Sequence, residues 1–304
     1  MVPFAHSPVL ACEVSTFLAP RPGGIYVDAT LGGGGHAALI CDAIAPGGVL
    51  VGIDRDLEAI EAARGRLQPA GVKVILVHEN YAALETILAG LGLPAVDGVL
   101  FDLGLSSPQV DRAERGFSYQ HDAPLDMRMD RRQALTARQL VNEAPEDDLA
   151  GIIMRYGEER WARRIASFIV QRRRRRSVET TGELVEIIKA AIPAKARRHG
   201  PHPARRTFQA LRIAVNDELG SLEAGLRGGI RALAPGGRLA AISFHSLEDR
   251  LIKEEFRKAA EDAAHPAGGW IELLTKKPVR PGAAEVSRNP RARSAKLRAL
   301  KVCE

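Results

Sequence analysis

The sequence predicts a doubly wound α/β protein, built on a mostly parallel sheet and interrupted by a helical insertion. Three observations carry that expectation. Short apolar, β-branched runs recur through residues 24–102 with a helix-patterned stretch between them, residues 103–207 contain no such run, and the runs return after residue 208. Strands alternating with helices on this scale indicate βαβ units, whose parallel strands are covered on both faces and so read as continuous apolar runs.

In chain order, Gly24–Asp28 is the first run, ending in an acid before a glycine cluster, and Gly48–Asp54 repeats the pattern. Leu57, Ile60, Ala63 and Leu67 stand at helical spacing before the third run, Val72–Val77, and Val96–Asp102 is the fourth. In the insertion, Glu158–Trp161 opens a helix with Trp161, Ile165, Phe168 and Ile169 on one face, ending in five consecutive arginines, Arg172–Arg176. A second helix is predicted over Thr181–Ala191, with Thr180 or Thr181 as its cap and Pro193 as its stop. Phe208, Leu211, Val215, Leu219, Leu222 and Leu226 then predict one long amphipathic helix. A turn at Leu233–Arg238 leads to a strand at Leu239–Phe244, a helix at Leu251–Ala264, and strands at Ile271–Leu274 and Leu297–Val302. The sheet thus resumes after the insertion. The expected boundaries are 1–112 with 208–304 for the split sheet domain and 113–207 for the helical one.

The chain of 304 residues has a formal charge of +6, and its halves differ in sign: residues 1–150 sum to −9 and residues 151–304 to +15. Such asymmetry suggests different partners for different parts of the chain. A hydrophobic content of 45% excludes ordinary disorder. The absence of a run of ~18 apolar residues excludes a spanning helix, and no membrane partner is expected. Residues Met1–His6 lack the basic-then-apolar pattern of a signal peptide. Cys12, Cys41 and Cys303 are scattered without Cys-x-x-Cys spacing, which fits a reducing cytoplasm and gives no expectation of a disulfide framework or a metal.

Ligands of open parallel sheets bind beyond the carboxyl ends of the strands, where Asp28, Asp54 and Asp102 are expected. Gly32–Gly35 lets backbone approach a ligand closely. Asp54 follows Gly34 by 20 residues, the spacing at which an acid accepts from ribose hydroxyls. Gly35 is followed by His36-Ala37 rather than Lys-Ser or Lys-Thr, so this is no Walker loop. A dinucleotide loop can be fitted to Gly32, Gly34 and Ala37, which keeps an NAD-dependent dehydrogenase open. Asp28 would repel a pyrophosphate, however, and suits a cationic ligand with a free amino group. S-adenosylmethionine is therefore preferred.

Further motifs follow in order: HSPVL at His6–Leu10, GGGGH, IDRD at Ile53–Asp56, DLGLSSPQ at Asp102–Gln109, RGFSY at Arg115–Tyr119 and PLDMRMD at Pro124–Asp130. YGEER at Tyr156–Arg160, TFQALRI, SFHSLEDR and NPRARSAKLR complete a series that spans residues 6–298. Together they resemble the bacterial 16S ribosomal RNA cytosine-N4 methyltransferase family (RsmH/MraW). The resemblance implies a Rossmann-like S-adenosylmethionine methyltransferase sheet and methyl transfer to N4 of a cytidine in the decoding region of 16S rRNA. It implies that Gly34, Gly35 and His36 line the methionine end of the cofactor and that Asp54 holds the ribose. Asp102 and Gln109 would lie near the adenine and methyl-transfer region, and the ring of Tyr81 against the adenine. It also implies 16S rRNA as the partner; whether as free RNA or within the small ribosomal subunit stays open, with the size of the insertion favouring a structured target, and a homodimer stays open too.

The chemistry can be reasoned independently of the family. A sulfonium is an activated methyl donor, so positioning the amine in line, which can supply roughly 7–11 kcal/mol, is the main task. An acceptor for the amine hydrogens is also needed, and a modest one suffices. The Pro-Pro-aromatic loop of other amino-methyltransferases is replaced by DLGLSSPQ, with one proline and no aromatic residue. Asp102 is the first candidate acceptor. His245, after the fifth strand, is either a structural residue or part of the substrate pocket. Residues 163–212 hold 14 Lys and Arg against 3 Glu, and residues 276–301 hold 9 against 1. From these segments Arg173, Arg174, Arg205, Arg206, Arg291, Arg293 and Arg298 are candidate RNA contacts. Phe117, Tyr119, Trp161 and Phe208 are unranked candidates for base stacking. A catalytically silent RNA-binding factor would explain the basic segments but leave the glycines and strand-end acids without a purpose.

Overall fold

The computed structural model describes residues 8–198, 200–262 and 265–304. The side chains of Ser107 and Pro108, the motif residues His6 and Ser7, and the predicted helix end at Ala264 lie outside that description. The chain divides into two compact units, Met1–Gly104 with Leu219–Glu304, and Leu105–Glu218. The expected insertion, 113–207, falls inside the second.

The first unit is a seven-stranded sheet of β1 (Ile25–Asp28), β2 (Val49–Asp54), β3 (Lys73–His78), β4 (Val96–Asp102), β5 (Leu233–Ser243), β6 (Trp270–Leu273) and β7 (Lys296–Cys303), in the order β3-β2-β1-β4-β5-β7-β6. β1 to β5 pair in parallel, and β7 runs antiparallel to both β5 and β6. The chain winds outward from β1 to β3 and returns on the other side at β4. The strand order therefore reverses between β1 and β4, which is the switch point of the sheet. Alternate side chains serve two cores. Tyr26, Leu50 and Leu100 pack with Leu18, Ile44 and Ile60 on one face, while Val27, Val51, Val99 and Phe101 pack with Leu84, Leu226 and Phe256 on the other. Burial on both faces is why these strands read as continuous apolar runs.

The second unit is helical, with no strand among its described residues. The helices Glu146–Gly157, Ala162–Arg173, Thr181–Ala191 and Arg205–Asn216 bury Ile153, Ile165, Ile169, Leu184, Ile188, Phe208 and Leu211 in one cluster. Thr180 caps its helix through a complete capping box with Glu183. No helix among the described residues is long and apolar enough to cross a membrane.

Four predicted elements differ from the structure; one is the helix expected from Leu251, which begins at Ser246 because His245 caps it there. The helix predicted to open at Glu158 begins at Ala162, because Glu158 takes a left-handed φ of 48° after the preceding helix ends at Gly157. The single long helix through Leu226 is two, Arg205–Asn216 and Glu218–Arg231, separated by Asp217 at φ 43°. Asn216, next to the break, is turned inward: its Nδ2 donates to the Met127 carbonyl and its Oδ1 accepts from Met129 N, both at 2.7 Å. The turn predicted at Leu233–Arg238 lies within β5. There the register jumps from Val96↔Leu233 to Gly98↔Arg238, so the proline-glycine segment bulges out of a continuing strand.

Candidate active site

The strand-end acids lie on one edge of the sheet because β1, β2 and β4 are parallel and end together. Asp28 closes β1 and is 1% exposed. Thr30 N donates to its Oδ1 at 3.2 Å. Burial is the main reason its pKa rises, to about 7; the charges of Asp102 and Asp54 add to the rise, while His36 and the Thr30 amide oppose it. The carboxylate expected to face a cationic ligand is therefore enclosed, and Asp102 is the more open acid, with 26% of its side chain exposed.

The loop after β1 is pinned from both neighbouring strands. The Asp102 amide donates to Thr30 Oγ1 at 2.5 Å, and Gly32 N donates to Asp54 Oδ2 at 2.8 Å. Asp54 Oδ1 accepts from Asp56 N at 2.9 Å, and burial pushes its carboxyl upward against these backbone hydrogen bonds. Each Asp54 oxygen still has a lone pair for a ribose hydroxyl. Gly34, at φ 75°, is the N-cap of helix Gly35–Ile44, and a side chain is disfavoured in that conformation. The turn delivers His36 into the interior at 5% exposure. His36 Nε2 stands 3.5 Å from Asp102 Oδ2, beyond a well-formed hydrogen bond. Burial works against protonation of this imidazole, but the Asp102 and Asp28 carboxylates overcome it, and its pKa is raised.

Tyr81 is 8% exposed, with Phe101 edge-on at 5.5 Å and the Arg55 guanidinium 5.8 Å from its ring centre. His245 is the N-cap of helix Ser246–Glu261. Its Nδ1 accepts from Glu248 N at 3.3 Å, its Nε2 lies 3.1 Å from Glu248 Oε1, and Glu248 Oε2 accepts from Phe244 N at 2.8 Å. The structure thus gives His245 a capping role. Arg298, expected to meet RNA, is 8% exposed and donates to Asp249 Oδ1 at 2.8 Å, while Lys296 holds Oδ2 of the same acid. On β7, which pairs with both β5 and β6, the Arg298 guanidinium is held by Asp249 rather than presented to solvent. Arg291 and Arg293 are exposed.

The remaining candidates belong to the second unit. Gln109 is buried and accepts from Ser106 N at 3.1 Å. Arg173 donates to the Val141 carbonyl and Arg206 to that of Glu158, whereas Arg174 and Arg205 are exposed with no hydrogen bond from their guanidinium groups among the described residues.

Whether the first unit fits a ligand with hydrogen-bond donors can be tested on its buried polar atoms. Asp102 Oδ1 and both His36 ring nitrogens are buried with no hydrogen-bond partner among the described residues. Such atoms are costly to leave bare; at the switch point Asp102 Oδ1 can accept from a ligand that carries amine hydrogens, while the His36 ring offers at least one N–H to a ligand acceptor. The sequence profile of the MraW methylase family matches residues 3–303.

The chain belongs to the MraW methylase family.

Ribosomal RNA small subunit methyltransferase H of Symbiobacterium thermophilum is 58% identical to this methylase, covering 98% of the chain and 96% of the relative. The protein of the same name from Geotalea daltonii is 55% identical, with 99% of each chain covered. The match to a solved rRNA methylase from Streptococcus thermophilus covers 99% of this chain and 100% of that one, at 12% identity and a TM-score of 0.42. Sequence reasoning missed two groups in this methylase. Thr30, which ties β4 to the β1 loop, carried no signal because hydroxyl residues are common in turns. Glu248 did carry one: it stands three residues after His245, which is capping-box spacing with histidine in the place of serine.

Proposed function

We propose that this chain transfers the methyl group of S-adenosylmethionine to the exocyclic N4 of a cytidine in the decoding region of 16S rRNA. The observation that carries the reading is the unpartnered Asp102 Oδ1 on the edge between β1 and β4, beside His36. The relatives of more than half identity, which carry the name of a small-subunit rRNA methyltransferase, support it.

Bound S-adenosylmethionine supplies a methyl group already activated on a sulfonium. Asp54 holds the ribose hydroxyls, with its orientation fixed by the Gly32 and Asp56 amides. Tyr81 borders the adenine, its ring held by Phe101 and Arg55. His36 lies against Asp102 Oδ2, which leaves Oδ1 to accept a hydrogen of the cytosine amine. Accepting that hydrogen releases the nitrogen lone pair from the ring, and Asp102 then takes the proton as the N–C bond forms. The same reading takes the assembled small subunit as substrate and the cytoplasm as the place of reaction. Labelled S-adenosylmethionine supplied with subunits lacking the modification should place label on N4 of one cytidine, located by nuclease mapping. Label on another base, or on protein, sinks the reading.

A further inference from the structure

Four aromatic side chains of the second unit are candidates for base stacking, and their surroundings rank them. Phe208 is 3% exposed and Phe117 is 7% exposed, so neither offers a ring face. Trp161 already has the Arg160 guanidinium 5.2 Å from its ring centre. Tyr119 differs. Phe208 meets it edge-on at 5.7 Å, fixing it to the helical core, and the imidazole of His202 lies flat on it, with centroids 4.7 Å apart and planes 7° from parallel. His202 is exposed. Its ring is set by its own turn: Ala204 N donates to His202 Nδ1 at 3.3 Å, and Arg205 N donates to the His202 carbonyl at 3.0 Å. Partial burial and the charge of Lys189 lower its pKa, so the ring is neutral at neutral pH.

We propose that the Tyr119–His202 stack is a platform on which an unpaired base of the RNA substrate continues the pile, with Arg205 at its side taking phosphate charge. The inference rests on the RNA reading above. Charge favours nucleic acid over a protein partner. Residues 194–216 contain Lys195, Arg197, Arg198, Arg205, Arg206 and Arg212 and no acid, and among the described residues only Arg212 of these is paired with a carboxylate, Glu218. The one acid in the Tyr119 loop, Asp122, is engaged by helix Thr181–Ala191, accepting from Gly182 N at 2.9 Å. A flat ring pair set among exposed cations is the composition of single-strand sites, where stacking tolerates any base and cations hold the backbone. A protein partner would meet mostly desolvated charge here.

The test measures binding of a fluorescein-labelled, unstructured oligocytidine and of a double-stranded RNA of equal length to the full chain by anisotropy. His202→Ala should weaken single-strand binding roughly five- to hundredfold, with an unchanged salt slope because no charge is lost. His202→Phe should restore wild-type affinity, which a hydrogen-bonding or purely structural role for His202 would not allow. Binding of the duplex, whose bases are already stacked, should change less than twofold. Tyr119→Ala should match His202→Ala, and because it also removes core packing, the exposed His202 pair carries the decision. The platform is overturned if single-strand affinity is unchanged in His202→Ala, or if His202→Phe binds as weakly as the alanine variant. A wild-type chain that binds neither RNA overturns the RNA reading itself; a wild type that binds, with variants that do not differ from it, overturns only the platform.

Discussion

Asp102 and His36 are held in contact by backbone that neither side chain controls: Thr30 fixes the Asp102 amide, and the Gly34 turn delivers the imidazole. Asp102→Asn should therefore leave the fold and cofactor affinity nearly intact while methyl transfer falls by about 10²–10⁴, the range for removing a positioned proton acceptor. Single-turnover transfer, with cofactor binding measured by calorimetry, checks this, and near-normal turnover eliminates Asp102 as the acceptor. Asp28 beneath them gives a pH signature. Its pKa rises from 3.8 to about 7 on folding, so the folded state holds a proton that the unfolded chain has lost, and stability declines from about pH 4 up to about pH 7. His36, also raised, adds stability below its ordinary range that is lost as pH climbs through its folded value, which has the same sign. The ligand-free protein should melt at higher temperature at pH 5.5 than at pH 8, and Asp28→Asn should flatten that difference. At about 1.4 kcal/mol per unit, the Asp28 contribution is on the order of 4 kcal/mol. A flat wild-type profile would contradict the assignment. The strand-end acids were legible because a carboxylate closing an apolar run is unusual. The enclosure of Asp28 was not, since it depends on how the loop after β1 folds back over it.

At the level of elements, local chemistry and long-range packing part company at two helices. The helix Thr181–Ala191 could be read residue by residue, from a threonine cap, a glutamate three positions on and a proline stop. Thr180→Ala should accordingly cost about 1 kcal/mol in urea unfolding, the usual worth of a cap. The break at Asp217 could not be read, because the apolar spacing continues unbroken from Val215 to Leu219 and Leu222. The break is enforced at a distance: Asn216 points inward to bind the backbone of Met127 and Met129, and Asp217 is left in the left-handed region. Asp217→Gly should then stabilise by up to ~1 kcal/mol, because glycine adopts this conformation freely. Asp217→Val should cost ~1–2 kcal/mol, since a β-branched residue resists it. Chemical denaturation of the two variants decides the matter: equal stability would mean that residue 217 is not held left-handed in solution. The bulge in β5 is a parallel case. Pro235-Gly236-Gly237 reads as a turn, and only pairing with β4 on both sides of it keeps the strand continuous.

For the whole molecule, the informative quantity is where the charge of +6 resides. Cutting the chain at residue 150 gives −9 and +15, but that cut divides each unit, because the sheet is completed by strands from both ends of the sequence. Counted by unit, Met1–Gly104 with Leu219–Glu304 holds 21 basic and 21 acidic side chains, and Leu105–Glu218 holds 22 and 16. The whole excess belongs to the helical unit. The sheet unit is balanced, and Arg298 and Lys296 are matched by Asp249. Nucleic-acid affinity should follow that division. With about five phosphate contacts to single-stranded RNA, the slope of log affinity against log salt is about −3.5, each contact giving about −0.7. Replacing Arg174 and Arg205 together by glutamine should bring the slope to about −2.1 and weaken binding to any sequence alike. Arg298→Gln should instead lower the melting temperature, by leaving Asp249 with one cation, and leave the slope where it was. Titrations of the three proteins at several salt concentrations separate the two effects. A slope that falls for Arg298→Gln and holds for the double variant would move the RNA-binding charge back to the sheet unit.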